Sequence, residues 1–338
     1  MSSILTRLDG SENLKANIGY KGIEVVQNDF DTKYPWNRME EIEDSAGNKW
    51  IRIYPFYTQY DIQDGVIKGR RISEYKVADD WFLNPIFVGS DGTPTYVDVA
   101  KYLMGDYNGV ANSKSGFAPV KGLQPSVART RANSLSDDEY NVYLYDIWTH
   151  QMIQDLFTIE FATTDCQQIM SGYKYDYYQS ASLVNGTTDA VPYVSGTLTE
   201  RGAQEGLECM KYRGIENLWG NGSMFVDGIR GRQNVFVSTN PMKHGDNDAY
   251  QETTLQRPEE AGVVYQLGFD ANKKVVFPIT INAKGAYKDQ YDKLANTATL
   301  SACYCGSNSS TGIWTYSMSA PYNSALPQSI FRLVRKHK

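Results

Sequence analysis

Few side chains in this sequence have types and spacings that do chemistry. Cysteines stand at Cys166, Cys209, Cys303 and Cys305, and histidines at His150, His244 and His337. Cys303 and Cys305 are one residue apart, which is neither the Cys-x-x-Cys of a redox site nor a zinc-knuckle spacing. A thiol nucleophile needs a neighbouring base or a helix N-terminus to ionise it, and no histidine lies near either cysteine in the sequence. The scattered histidines give a metal site little to build on. Gly245, Asp246, Asn247 and Asp248 offer oxygen ligands of the kind calcium takes, and equally make a plain turn, so no metal is assigned. Asp137-Asp138 and Glu259-Glu260 read as solvated faces. The residues thus define no catalytic constellation and call for no cofactor, although the two carboxylates of a glycosidase can come from anywhere in a chain.

Binding chemistry is better represented. The chain has 25 Tyr against 12 Phe and 6 Trp, and tyrosine gives a large contact area with a polar tip at little rotamer cost. It also suits β-strands. Residues 284–323 concentrate the paratope-like mixture of rigid aromatics and adaptable polar partners. There Tyr287, Tyr291, Tyr304, Asn308, Ser310, Trp314, Tyr316, Tyr322 and Asn323 are the candidate ligand-binding residues, with an ordinary surface loop as the alternative.

These loops need a scaffold. Residues 212–229 form a glycine-punctuated apolar run that reads as a buried, non-repetitive spine crossing a domain. Its structural markers are Trp219, Gly220, Asn221, Val226, Asp227 and Gly228. A helix is predicted from Pro125 to about Asn133, with proline at an early helical position. A second is predicted within 138–161, where Leu144, Trp148, Met152, Leu156 and Ile159 recur at three- and four-residue spacing on one apolar face. Residues 50–57 read as a strand, with Pro55 marking an edge or bulge. Residues 234–238 and 275–278 read as further strands, and 329–335 as a closing strand. Two helices packed on a twisted, mostly antiparallel sheet would be an α+β architecture.

The spine also carries a resemblance. Residues 212–229 resemble a segment of phage tail and receptor-binding proteins with a C-type lectin fold, shared with the formylglycine-generating enzyme family and the phage major tropism determinant. Gly220-Asn221 and Val226-Asp227-Gly228 match the pattern; Gly-Ser-Met-Phe at 222–225 replaces Ile-Trp-Glu-Trp. Shorter matches follow the family's order at 50–57, 81–87, 97–102, 113–119, 145–148 and 159–163. The resemblance implies a C-type-lectin-like domain over 34–338, preceded by an attachment or oligomerisation segment at 1–33. It further implies a non-catalytic phage virion adhesin, in which the C-terminal loops hold a host-cell surface glycan or protein. A homo-oligomer, with a trimer favoured, would be tied to other virion proteins by the N-terminal segment. A structural virion protein (head fibre, capsid decoration or baseplate component) is the alternative. The enzyme branch of the fold pairs cysteines several residues apart, unlike Cys303 and Cys305.

Bulk properties narrow the classes. At 338 residues, 41% hydrophobic and 21% charged, the composition is that of a globular chain. A net charge of −6 provides no basic field for nucleic acid. No stretch is apolar enough to span a membrane. The first residues lack the apolar core of a secretion signal, so synthesis in the host cytoplasm is expected, as for a virion component or any cytosolic enzyme; a place in the virion is what the resemblance implies.

Overall fold

The computed structural model describes residues 28–170, 172, 183–191, 194–201, 204–238, 240, 244–245, 249–283, 285, 287–292, 301–305, 312–318 and 320–338. Its organising element is the helix Ile147–Phe161 (α2), and every residue from Ile147 to Glu160 is buried. Asp146 caps it, its side chain accepting from Thr149 N at 2.8 Å, which satisfies one of the orphan donors of the first turn.

The apolar face of α2, with Trp148, Met152, Leu156 and Ile159, joins the main core. Its other face carries Gln151, Gln154, Asp155 and Glu160, which the strands around it answer. Gln151 donates to Tyr60 Oη (3.1 Å) and accepts from Val276 N (2.9 Å). Gln154 donates to Ile313 O (2.8 Å) and Tyr316 Oη (3.1 Å). Asp155 pairs with Arg70 Nε at 3.0 Å and accepts from Tyr60 Oη at 2.7 Å. Buried polar groups must be hydrogen-bonded, and these are what allow strands to enclose the helix.

The enclosure is a large sheet that curls into a half-barrel. Its order runs Tyr250–Gln256, Asn234–Ser238, Ser223–Gly231, Ser301–Cys305, Tyr316–Ser317, Gln290–Asp292, Gly262–Asp270, Val66–Ser73, Tyr57–Gln63, Phe82–Leu83. Val275–Ile281 pairs with Gly262–Asp270 off this path. A second sheet, in the order Glu40–Glu43, Lys49–Ile53, Val97–Leu103, Arg332–His337, Tyr140–Leu144, brings the C-terminal strand to an interior position. Pro55 falls where the chain leaves this sheet for the half-barrel, as a residue without an N–H to donate suits a break in pairing.

This overturns the α+β, C-type-lectin-like expectation. Among the described residues strands predominate, 41% against 15% helical, with only three α-helices and several sheets. The helices are Pro125–Asn133 (α1), α2 and the short Cys166–Ile169 (α3). The predicted long helix also begins too early. Tyr140–Leu144 is a strand that pairs with Arg332–His337, Leu144 opposite Leu333. Its Tyr140, Val142 and Tyr143 favour extended backbone, and the partner strand comes from the far end of the chain.

Residues 28–33 dock on the same body. Phe30 is in the main core, and Asn28 Nδ2 donates to Glu160 Oε1 at 3.0 Å. The rest of the expected attachment segment, residues 1–27, lies outside the described residues.

Candidate functional site

The sequence-predicted binding residues do not assemble on one surface. Tyr287, Tyr291, Trp314 and Tyr316 are each no more than 2% exposed and belong to the main core. Tyr287 packs edge-on against Trp314, ring centroids 5.0 Å apart, and Arg70 lies 4.7 Å from the Trp314 ring centroid. These aromatics are buried in the core that α2 shares, so their assignment to a ligand-contacting surface is corrected: they are packing residues.

Tyr322 is half-buried, its hydroxyl donating to His244 O at 3.0 Å. Asn323 is exposed, and its Oδ1 accepts from Ser126 N at 3.1 Å in the first turn of α1. Tyr304 lies in the strand Ser301–Cys305, in register with Phe225. Asn308 and Ser310 lie outside the described residues, as does the turn at 246–248.

The spine residues anchor neighbouring segments, and Asp227 and Gly228 belong to a buried charged cluster. Trp219 Nε1 donates to Met170 O at 3.0 Å. Asn221 clamps Leu183 with two hydrogen bonds, at 2.7 and 3.1 Å. Asp227 takes a bidentate pair from Arg129 at 2.6 and 2.7 Å. Burial opposes its ionisation, yet Arg129 and His244 hold the Asp227 carboxyl below its usual range. His244 Nε2 lies 3.2 Å from Asp146 Oδ2, with its ring stacked on Trp148. Arg230 is sandwiched between Tyr250 and Tyr322, 3.6 Å from each ring centroid.

Thr149 Oγ1 also donates to Asp146 Oδ1 at 2.6 Å, and the cluster holds strands and α1 together. It also requires Gly228, whose φ is +75° and whose added Cβ would lie 2.7 Å from His244 Cε1. Gly228→Ala is therefore expected to cost about 1–3 kcal/mol, measured as a lowered denaturant midpoint at unchanged m-value.

The surface that sequence reading missed is the hairpin of Gly105–Tyr107 and Val110–Asn112. Its two-residue turn is Asn108-Gly109, with φ of +54° and +83°, the positive values a type I′ hairpin turn demands. Asp106 Oδ1 accepts from Gly109 N at 2.7 Å, and the same carboxylate pairs with Arg131 of α1.

Ser113 N bonds Asn48 Oδ1 at 2.9 Å, tying the hairpin base to the 44–48 turn. Between hairpin, turn and Leu135 just beyond α1 lies a cleft of 370 Å³. Tyr107, Val110, Asn112, Lys114, Phe117 and Leu135 are among the residues lining it.

Three features of the cleft point to a ligand. Tyr107 and Val110 are 64% and 54% exposed, a large apolar commitment for a hairpin tip. Tyr107 stands edge-on to Phe117, centroids 6.1 Å apart. Asn112 is 5% exposed and neither side-chain amide atom has a hydrogen-bond partner among the described residues, a cost proteins rarely carry. Its place depends on Gly105, since a Cβ there would lie 2.7 Å from Asn112 Oδ1 and 2.9 Å from Phe117 Cβ.

Among the described residues no group of three or more His, Cys, Asp or Glu side chains could hold a metal ion. No helix among them is long and apolar enough to cross a membrane. No protein-family model matches the chain, and no curated protein matches it either. Its functional reading therefore rests on its own residues.

Proposed function

We propose that this chain is a non-catalytic adhesin of a phage or prophage particle, binding a host-cell surface glycan through the cleft beside the 105–112 hairpin. The observation that carries the reading is the conjunction of the exposed Tyr107 ring with the unpartnered amide of Asn112 in one cleft. An aromatic face offers a platform to the apolar side of a sugar ring, and a carboxamide can both donate to and accept from hydroxyls. The half-exposed Lys114 adds an ammonium at the same place. The ordered series of short segments resembling phage receptor-binding proteins supports the virion setting, while the lectin fold no longer does. A homo-oligomer suits this role, because several weak contacts reinforce one another.

The test is binding of labelled protein to candidate host cells, with Tyr107→Ala as the control. Tyr107 is exposed, so the variant keeps its fold. Saturable binding that falls on the order of tenfold in the variant, about 1.4 kcal/mol, is expected. Equal binding by both proteins, or assembly onto capsids with no cell binding, would overturn the reading.

A further inference from the structure

A second cleft, of 630 Å³, shares no lining residue with the first. It opens where the turn between Ser223–Gly231 and Asn234–Ser238 meets the end of Tyr250–Gln256. Arg257 N donates to Gln233 O at 3.2 Å and Arg232 N to Asn234 O at 3.0 Å, fixing the meeting point. The lining includes Arg232, Gln233, Gln256, Arg257, Glu259 and Glu260.

Arg257 is 6% exposed, and its Nη1 is sealed from solvent with no acceptor. Among the described residues its guanidinium has neither an ion pair nor a hydrogen bond. Arginine does not shed its charge on burial as lysine does, so an unpaired buried guanidinium is costly until an anion completes it. Its planar fork fits a carboxylate with two parallel hydrogen bonds.

The surroundings restrict the anion. Glu259 and Glu260 are exposed at the same cleft, and the chain carries a net charge of −6. The two arginines and two glutamates of the lining cancel formally, so the cleft gives no strong positive field for a polyanion or a dianionic phosphate and suits a single carboxylate better. Gln233 and Gln256 present amides that pair with hydroxyls rather than with an apolar peptide side chain.

We infer that this cleft binds the carboxylate of an acidic sugar residue, with Arg257 as its anchor, Arg232 as a rim cation and the two glutamines on ring hydroxyls. The sugar part rests on the glycan reading above; the carboxylate part stands on Arg257 alone.

The experiment titrates the full-length protein with sodium glucuronate, glucose, sodium acetate, inorganic phosphate and a short peptide with a free C-terminus, each followed by calorimetry. It uses wild type, Arg257→Met and Arg257→Lys. Saturable glucuronate binding with no heat from glucose is expected. It should fall at least tenfold in Arg257→Met and partly in Arg257→Lys, which keeps the charge but not the fork. Arg257→Lys serves as the readout should Arg257→Met fail to fold.

Equal binding of glucuronate and glucose, tighter binding of phosphate or of the peptide, or no loss in either Arg257 variant would overturn the inference. Acetate matching glucuronate would overturn its sugar part. Failure of the hairpin reading is separately visible, as cell binding indifferent to Tyr107→Ala while glucuronate titrations keep their Arg257 dependence.

Discussion

Replacing Glu160 with alanine is expected to cost about 3–5 kcal/mol of stability, the range for removing one partner of a buried ion pair. Glu160 is fully buried on α2. Arg213 Nε sits 3.1 Å from both of its oxygens, Tyr212 Oη donates at 2.9 Å and Asn28 Nδ2 at 3.0 Å. One carboxylate thus joins the helix, residues 28–32 and the strand Gln204–Tyr212. Its loss strands the Arg213 guanidinium, which among the described residues retains only its contact with Asp31 at 2.5 Å. Glu160→Gln keeps the shape and an acceptor for Tyr212, so it should cost less than alanine. The double change Glu160→Ala, Arg213→Met removes both charges and should recover most of the loss, since an apolar replacement of a buried pair is often neutral. Urea unfolding of the four proteins checks this. Additive losses in the double variant would show that the pair is not the source.

How far the sequence exposes this architecture depends on whether a signal is local. The start of α1 is legible because Pro125 acts within its own turn. The true start of α2 is also marked, by Asp146 three residues before Thr149, but the apolar spacing that begins at Leu144 hides it. Tyr140–Leu144 has β-favouring residues, but the Arg332–His337 strand that completes its pairing lies in no local window. The hairpin signal Asn108-Gly109 stands between Tyr107 and Val110 and is readable from sequence alone.

The aromatics of 287–316 are different. Tyrosine and tryptophan suit a core and a contact surface equally, and the decision is made by α2. Gln151, Gln154 and Asp155 look like a solvent face in sequence, yet they are hydrogen-bonded by strands that need those aromatics as cover. Helix-on-sheet reasoning fails at that point, and with it both the α+β expectation and the placement of a binding surface on Tyr287, Tyr291, Trp314 and Tyr316. Arg257 gives no sequence signal at all, because its burial arises from the packing of two distant turns.

Stability is expected to fall as pH rises from about 4 to about 8, and Asp289 is the largest single source. Burial pushes its carboxyl up to about 7, against four donors that favour ionisation. Gly312 N and Gln167 Nε2 donate to Oδ1 at 2.9 and 3.0 Å, and Trp314 N to Oδ2 at 2.8 Å, with Cys166 Sγ at 3.5 Å. In the unfolded chain an aspartate titrates near 3.9. The folded state therefore holds the proton more tightly, and its advantage is complete below about pH 4 and lost as pH passes through about 7. A difference of about three pH units corresponds to about 4 kcal/mol. Asp155, pushed by burial to about 6, adds in the same direction in every variant and cancels from comparisons between them. Asp289→Asn abolishes the Asp289 contribution but sets an amide N–H2 against one of the donors, a penalty of about 1–3 kcal/mol. The variant should be less stable than the parent at pH 4 and equal or more stable at pH 8, so the two stability curves converge or cross. Parallel curves from urea unfolding across this range would mean that Asp289 stays ionised in the fold and that its four donors, not its burial, dominate.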